Sequence, residues 1–311
     1  MDFVIFVISM GVLIWGADTL IKQSEAIALR FNISEFIIGA TLIALGTSLP
    51  EMAASVAASL NHKADMAVAN VIGSNILNIS LVLGSVFIIS KNINPNRDFF
   101  AKDSTWAMVP VFVFLLMIID GVISRFDGIL LLVLMGAYVL FLVTDSKESI
   151  ELDDIDEIDM EHFSWAKTIL FSILGLALII TGAHFSVESA SEIARSFGVS
   201  EWIIGIVMIS FGTSLPELVV SISASLKGKV DMAIGNIIGS NMANTSIVLG
   251  SAALANPLTI DSKAYIFDLA SLLFITLLLV FITANKLYNK SAGISLLIML
   301  SLFLSHTIQS I

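Results

Sequence analysis

The sequence predicts an all-α polytopic membrane protein with ten transmembrane helices, arranged as two inverted five-helix repeats. Three observations carry that expectation. Of the 311 residues, 57% are hydrophobic and only 13% charged, too apolar for a water-soluble globule. The apolar residues fall in continuous runs of about 20, the length that crosses the hydrocarbon as a helix; an outer-membrane barrel would show alternation instead. Finally, a shift of 166 lays residues 34–84 over residues 200–250 without a gap, with identity at 30 of 51 positions. Each half holds five spans, an odd number, so the second copy must enter the membrane from the opposite side.

The spans are expected at residues 2–23, 35–60, 66–90, 105–120, 127–144, 165–187, 201–226, 232–256, 264–284 and 292–309. The first begins at residue 2 with no basic segment before it and no small-residue cleavage site after it, so it reads as a retained helix rather than a signal peptide. The second and seventh each carry "GTSLPE", at 46–51 and 212–217. Pro50 has no N–H, its ring clashes with the Gly46 carbonyl, and it pushes Leu49 out of the helical region. Both spans should therefore break near their centres, at Pro50 and Pro216. The third and eighth spans open with Asp65 and Asp231, where acids are favoured, and each carries "IGSN" followed two residues later by a further Asn. Gly73 and Gly239 in those segments would let another backbone approach closely. Asp120 and Asp127 flank a short turn between spans four and five and read as caps or solvated ends. On spans one and six, Asp18 and His184 are repeat-equivalent and suited to bonding across helices.

Between the halves lies "KESIELDDIDEIDMEH", with eight acids in residues 148–161. It reads as a solvated linker, and it lacks the glycine turn and ligand spacing of a calcium-binding EF-hand. The expected organisation is a first repeat at 1–145, an acidic linker at 146–163 and a second repeat at 164–311. Loops one, three, five, seven and nine hold eleven Lys and Arg (Lys22, Arg30, Lys91, Arg97, Lys102, Lys147, Lys167, Lys227, Lys229, Lys286, Lys290); the other loops hold four (Lys63, Arg125, Arg195, Lys263). The positive-inside rule then puts the odd loops and the linker in the cytoplasm of a cell-membrane protein, with both termini outside.

The chemistry concentrates in the repeated polar stretches. A broken helix frees carbonyls around Ala44, Gly46 and Thr47 that lipid cannot satisfy, at the negative end of a half-helix dipole. Thr47 and Ser48 add hydroxyls and Glu51 a charge; Thr213, Ser214 and Glu217 repeat this. Ser74 and Asn78 share a helix face at i, i+4, as do Ser240 and Asn244. All of these offer hard oxygens, which suits calcium, sodium or magnesium and argues against zinc, copper or iron. A carboxylate at mid-membrane costs about 2.5–3.5 kcal/mol. One divalent ion cancels two carboxylates, whereas monovalent ions must come in twos or threes, so such a site suits exchange of Ca²⁺ for several Na⁺. The chain has no cysteine, hence no disulfide or thiolate metal site. It shows no nucleophile–base pair, so neither an enzyme nor a resident cofactor is expected, and no nucleic-acid partner. The lipid bilayer, Ca²⁺ and Na⁺ are the expected partners.

At these residues the sequence resembles the cation/Ca²⁺ antiporter superfamily, and within it the prokaryotic Na⁺/Ca²⁺ exchangers, whose paired α-repeats match the two "GTSLPE" and two "IGSN" segments. The resemblance implies a rigid core of spans two, three, seven and eight, against which spans one and six slide. It implies ion ligands at Ala44 (carbonyl), Thr47, Ser48, Glu51, Ser74 and Asn78, and at Ser210 (carbonyl), Thr213, Ser214, Glu217, Ser240 and Asn244. Ca²⁺ would be held by Glu51, Glu217 and the carbonyls of Thr47 and Thr213, with sodium positions flanking it. Family members often have Ala where Ser210 stands, harmless for a carbonyl ligand. Many, including K⁺-dependent ones, have Asp where Asn244 stands, so this site is one carboxylate poorer and less suited to K⁺. An antiporter working by alternating access, at 3 Na⁺ to 1 Ca²⁺, is the leading expectation. An H⁺/Ca²⁺ antiporter of the same fold is the alternative, although such exchangers tend to carry Asn-containing segments in place of the Thr-Ser pair. A cation channel or a non-transporting membrane scaffold is the reading from a different class.

Overall fold

The computed structural model describes residues 1–90, 93, 95–145, 163–198, 211–261 and 263–309. Its helices are α1 (Asp2–Phe31), α2 (Glu35–Thr47), α3 (Leu49–Leu60), α4 (Ala64–Ile89), α5 (Phe99–Met117), α6 (Arg125–Asp145), α7 (Trp165–Ser196), α8 (Leu215–Leu226), α9 (Val230–Ala255), α10 (Ile266–Ala284) and α11 (Lys290–Gln309). Among the described residues, eight helices are long and apolar enough to cross a membrane, and the bent pair α2–α3 makes a ninth. Of the seventh expected span, 201–226, residues 201–210 lie outside the described residues, as does almost all of the acidic linker. One departure from an all-helical fold is a two-residue antiparallel ladder, β1 (Val122–Ile123) with β2 (Leu258–Thr259), pairing Val122 with Thr259 and Ile123 with Leu258. It joins the turn after α5 to the turn after α9.

The element boundaries repeat. Leu49–Leu60 returns as Leu215–Leu226 and Ala64–Leu77 as Val230–Ala243, each displaced by 166 residues. Expected starts and turns are found. Asp65 and Asp231 lie in the first turns of α4 and α9. Ser124 and Asp127 form a reciprocal cap on α6: the Asp127 carboxylate accepts from Ser124 N at 2.8 Å and from Ser124 Oγ at 2.7 Å, while Ser124 Oγ accepts from Asp127 N at 3.2 Å. Asp120 accepts from Val122 N at 3.0 Å.

Other boundaries differ from expectation. α1 has 30 residues and α7 has 32, so each runs about 45 Å or more, well beyond a ~30 Å hydrocarbon layer. Lys22 and Arg30 therefore lie on α1, Lys102 on α5, and Lys167 and Arg195 on α7, rather than in loops. Arg97, expected in a loop, has a buried side chain. Its guanidinium binds Asp103 and Asp145 and stacks 4.3 Å from the centroid of the Phe36 ring. Lys102 also reaches Asp145, at 2.7 Å.

α1 and α7 pack on each other along most of their length. A Cβ on Gly16 would stand 2.9 Å from the Gly175 carbonyl, and one on Gly182 would stand 2.7 Å from Leu13 N; only glycine allows that approach. Asp18 bonds across elements as its position suggested, pairing with Lys227 at 2.6 Å. Lys229, beside it, binds Glu25 and Glu35. Burial works against the Lys229 charge, but those two carboxylates outweigh it and raise its pKa above the ordinary lysine value. His184 instead lies on the exposed side of α7, 3.9 Å from Glu188 of its own helix.

Among the described residues three π-helical turns interrupt the spans, at Gly39–Ile43, Asn78–Leu83 and Asn244–Val248. Hydroxyls take up carbonyls four residues back at these turns: Thr41 on Ile37, Ser80 on Ile76 and Ser246 on Met242. Such side-chain bonds compete with the regular helical ladder, and π turns recur at functional sites.

Candidate ion-binding site

The break in the second span falls at Ser48, not at Leu49. Ser48 has φ −83° and ψ 5°, and the helices on either side meet at 44°. Leu49 is already helical, and Pro50 occupies the first turn of α3, where a missing N–H leaves nothing unsatisfied. Ser214 repeats the geometry, with φ −86° and ψ 0°. The Ala44 carbonyl, expected to lose its helical partner, keeps one: Ser48 N donates to it at 3.0 Å. Its second lone pair faces Thr47 Oγ1 at 3.3 Å, but that single proton is shared with the Ile43 carbonyl at 3.1 Å.

This geometry puts Glu51 and Glu217 in the first turns of α3 and α8, at the positive end of each helix. Both are 0% exposed. Contacts then cross between the halves. Ser48 Oγ donates to Glu217 Oε1 at 3.3 Å, an atom that also accepts from Ser240 Oγ of its own half at 3.5 Å. Ser74 Oγ meets Thr213 Oγ1 at 3.4 Å. Thr47 Oγ1 lies 3.3 Å from Asn236 Oδ1, and Thr213 Oγ1 lies 3.5 Å from Asn70 Oδ1. Gly239 allows this convergence, since a Cβ there would stand 2.4 Å from the Ala40 carbonyl on α2. For Gly73 no such approach is found among the described residues.

Among the described residues, acceptors predominate in what remains unpaired. Both carboxylate oxygens of Glu51, Oε2 of Glu217, Ser214 Oγ and both side-chain polar atoms of Asn78 and Asn244 are buried without a hydrogen-bond partner. Leaving such groups unmet costs on the order of 1–3 kcal/mol each. Apart from two amide groups and one hydroxyl, these are acceptors, and two belong to a carboxylate with no cation beside it. The missing partner is therefore positive, and the donors present are carboxylate, hydroxyl and amide oxygens. Among the described residues no three His, Cys, Asp or Glu side chains converge as a metal site.

Of the twelve residues expected as ligands, Ser48, Glu217 and Ser240 are joined by these contacts, Ser74 meets Thr213, and Thr47 meets Asn236. Ala44 adjoins Thr47. Glu51, Asn78, Ser214 and Asn244 stand buried with free atoms, and Ser210 lies outside the described residues. The sequence reading passed over Asn70 and Asn236, although they lie four residues before Ser74 and Ser240 on the same helix face. It also passed over Asn75 and Asn241, the Asn of each "IGSN". These point away from the carboxylates and pair with the opposite half: Asn75 Nδ2 donates to Thr245 Oγ1 at 2.8 Å.

The chain matches the family model described as sodium/calcium exchanger protein over residues 1–144 and 167–309. It is 33% identical over 301 residues to the inner membrane protein YrbG of Escherichia coli (strain K12), covering 94% of this chain and 92% of that protein. It is 30% identical over 341 residues to the sodium/calcium exchanger MaX1 of Methanosarcina acetivorans, covering 97% of each. Among solved structures, the sodium-calcium exchanger NCX_Mj soaked with 100 mM Na⁺ and 10 mM Sr²⁺ is similar with a TM-score of 0.82 and 32% identity, covering 98% of this chain and 97% of that one.

Proposed function

Because this chain belongs to the sodium/calcium exchanger protein family and is a transmembrane antiporter, we propose that it exchanges Na⁺, rather than H⁺, for Ca²⁺ at the site between Glu51 and Glu217. The observation that carries this reading is the pair of fully buried carboxylates in the first turns of α3 and α8, ringed by hydroxyl and amide oxygens and with no ion pair to a protein cation among the described residues. Ca²⁺ accepts six to eight such oxygens in flexible geometry. The Thr-Ser pairs supply neutral oxygens that can coordinate Na⁺, which a proton-driven site would not require.

On this reading the twelve residues Ala44, Thr47, Ser48, Glu51, Ser74, Asn78, Ser210, Thr213, Ser214, Glu217, Ser240 and Asn244 line the transport site. The halves 1–145 and 164–311 are inverted repeats of five spans each, an assignment supported by the constant 166-residue displacement of their helix boundaries. The acidic linker is cytoplasmic. Alternating access follows from motion of the α1–α7 pair against the remaining helices around a fixed midplane site.

The test is uptake of ⁴⁵Ca²⁺ into proteoliposomes loaded with Na⁺ or with K⁺, with and without an imposed pH gradient. Uptake driven by Na⁺ alone supports the reading. Uptake that needs the pH gradient and ignores Na⁺ would transfer the chain to proton-coupled exchange.

A further inference from the structure

Asn70, Ser74 and Asn78 recur at four-residue spacing along one face of α4, as do Asn236, Ser240 and Asn244 along α9. The asparagines in each stripe behave in opposite ways. Asn78 and Asn244 are buried with neither amide atom partnered among the described residues. Asn70 and Asn236 are buried too, but their amides are engaged at both ends. Asn70 Nδ2 donates to Ser55 Oγ at 2.9 Å and to the Glu51 backbone carbonyl at 3.2 Å. Its Oδ1 faces Thr213 Oγ1 of the other half. Asn236 Nδ2 donates to Ser221 Oγ at 3.0 Å, and its Oδ1 faces Thr47 Oγ1. The orientation of Asn70 is dictated chemically, since a backbone carbonyl at Glu51 can only be met by the N–H₂ end of the amide.

Each of these amides therefore grips the carboxylate-bearing helix of its own half and reaches a threonine of the other. We propose that Asn70 and Asn236 are positioning residues for cation binding. They hold the Glu51 and Glu217 turns in register with Thr213 and Thr47 of the opposite repeat. Neither asparagine touches the ion. The inference rests on the ion site proposed above.

The test is a double-mutant cycle read by Ca²⁺-dependent thermal unfolding of the full-length purified protein in Na⁺-free buffer. A ligand that binds only the folded state raises its stability with the logarithm of concentration over Kd, so the Ca²⁺ increment reports affinity separately from the ion-free midpoint. Asn70→Ala should weaken Ca²⁺ about tenfold, or about 1.4 kcal/mol. In the Thr213→Ala background it should add little, because it acts through Thr213, whereas combined with Thr47→Ala the losses should multiply. A merely structural asparagine would lower the ion-free midpoint and leave the increment alone. That result, or full additivity with Thr213→Ala, overturns the proposal. If N70A does not fold, the symmetric cycle of Asn236→Ala with Thr47→Ala reads the same coupling. Glu51→Gln, run alongside, separates the two ideas. An increment that survives E51Q defeats the site and this inference with it; an increment lost in E51Q but untouched in N70A defeats the inference alone.

Discussion

Asn75 and Asn241, the same position in the two halves, exchange hydrogen bonds. Asn75 Nδ2 donates to the Asn241 carbonyl at 3.4 Å, and Asn241 Nδ2 donates to the Asn75 carbonyl at 3.3 Å. A reciprocal bond between equivalent residues is what a local twofold relation produces. The contacts on either side obey it as well: Ser59 of α3 bonds the Asn256 carbonyl, and its counterpart Ser225 of α8 bonds Ser90, the counterpart of Asn256.

The Asn75–Asn241 pair fastens the halves on the side of α4 and α9 away from the carboxylates, beside Trp106 and Thr276. Asn75→Ala removes the donors to Asn241 and Thr245 and should cost about 1–3 kcal/mol, the penalty for stranding buried polar groups. The ion-free thermal midpoint should fall while the Ca²⁺ concentration for half-saturation stays put. A shift in Ca²⁺ affinity of tenfold or more would place Asn75 in the ion site instead.

Glu51→Gln and Glu217→Gln should each abolish Ca²⁺ exchange without unfolding the chain. Each leaves a site with one negative charge, too little to neutralise a divalent ion in a medium where a bare charge costs about 2.5–3.5 kcal/mol or more. Radiolabelled Ca²⁺ flux in liposomes checks this. Near wild-type flux in either variant would mean that the transport site lies elsewhere.

Exchange should proceed without K⁺. Asn78 and Asn244 both carry neutral amides, so no third carboxylate is present to balance a co-transported K⁺. Ca²⁺ flux compared with K⁺ or choline on the Ca²⁺ side decides the matter, and a dependence on K⁺ counts against the assignment.

Three Na⁺ should move per Ca²⁺. Exporting Ca²⁺ against a gradient of about ten-thousand-fold takes about 5.5 kcal/mol at roughly 1.4 kcal/mol per tenfold. Moving two charges outward against about 100 mV takes about 4.6 kcal/mol more, at roughly 2.3 kcal/mol per charge, for a total of about 10 kcal/mol. One Na⁺ entering down a gradient of about tenfold releases about 3.7 kcal/mol. Two supply about 7.4 kcal/mol and fall short, while three supply about 11 kcal/mol. The cycle should then carry one net charge, so the reversal potential in liposomes should follow a 3:1 ratio. Flux insensitive to a valinomycin-set potential excludes that ratio.

The sequence by itself determined whatever depends on local composition and spacing. Membrane residence follows from apolar run length. The broken second span follows from Pro50, whose missing N–H and bulky ring act within a few residues wherever the chain goes. The repeat, the Ser124–Asp127 cap and the acids opening α4 and α9 are equally local. The tertiary structure decided what depends on residues far apart in the chain. Arg97 is buried because Asp103 and Asp145, the latter 48 residues away, neutralise it; the sequence shows only a charged loop. Among the described residues three π turns replace ordinary helix in segments whose i, i+4 pattern is unremarkable, with Thr41, Ser80 and Ser246 taking up displaced carbonyls. Thr47 meets Asn236 across 189 residues, and Thr213 meets Asn70 across 143. An isolated repeat offers only one carboxylate and one threonine with no cross-partner. The physical reason is that a buried charge or amide is tolerable only when its partner arrives, and for these residues that partner is carried by the other half of the chain.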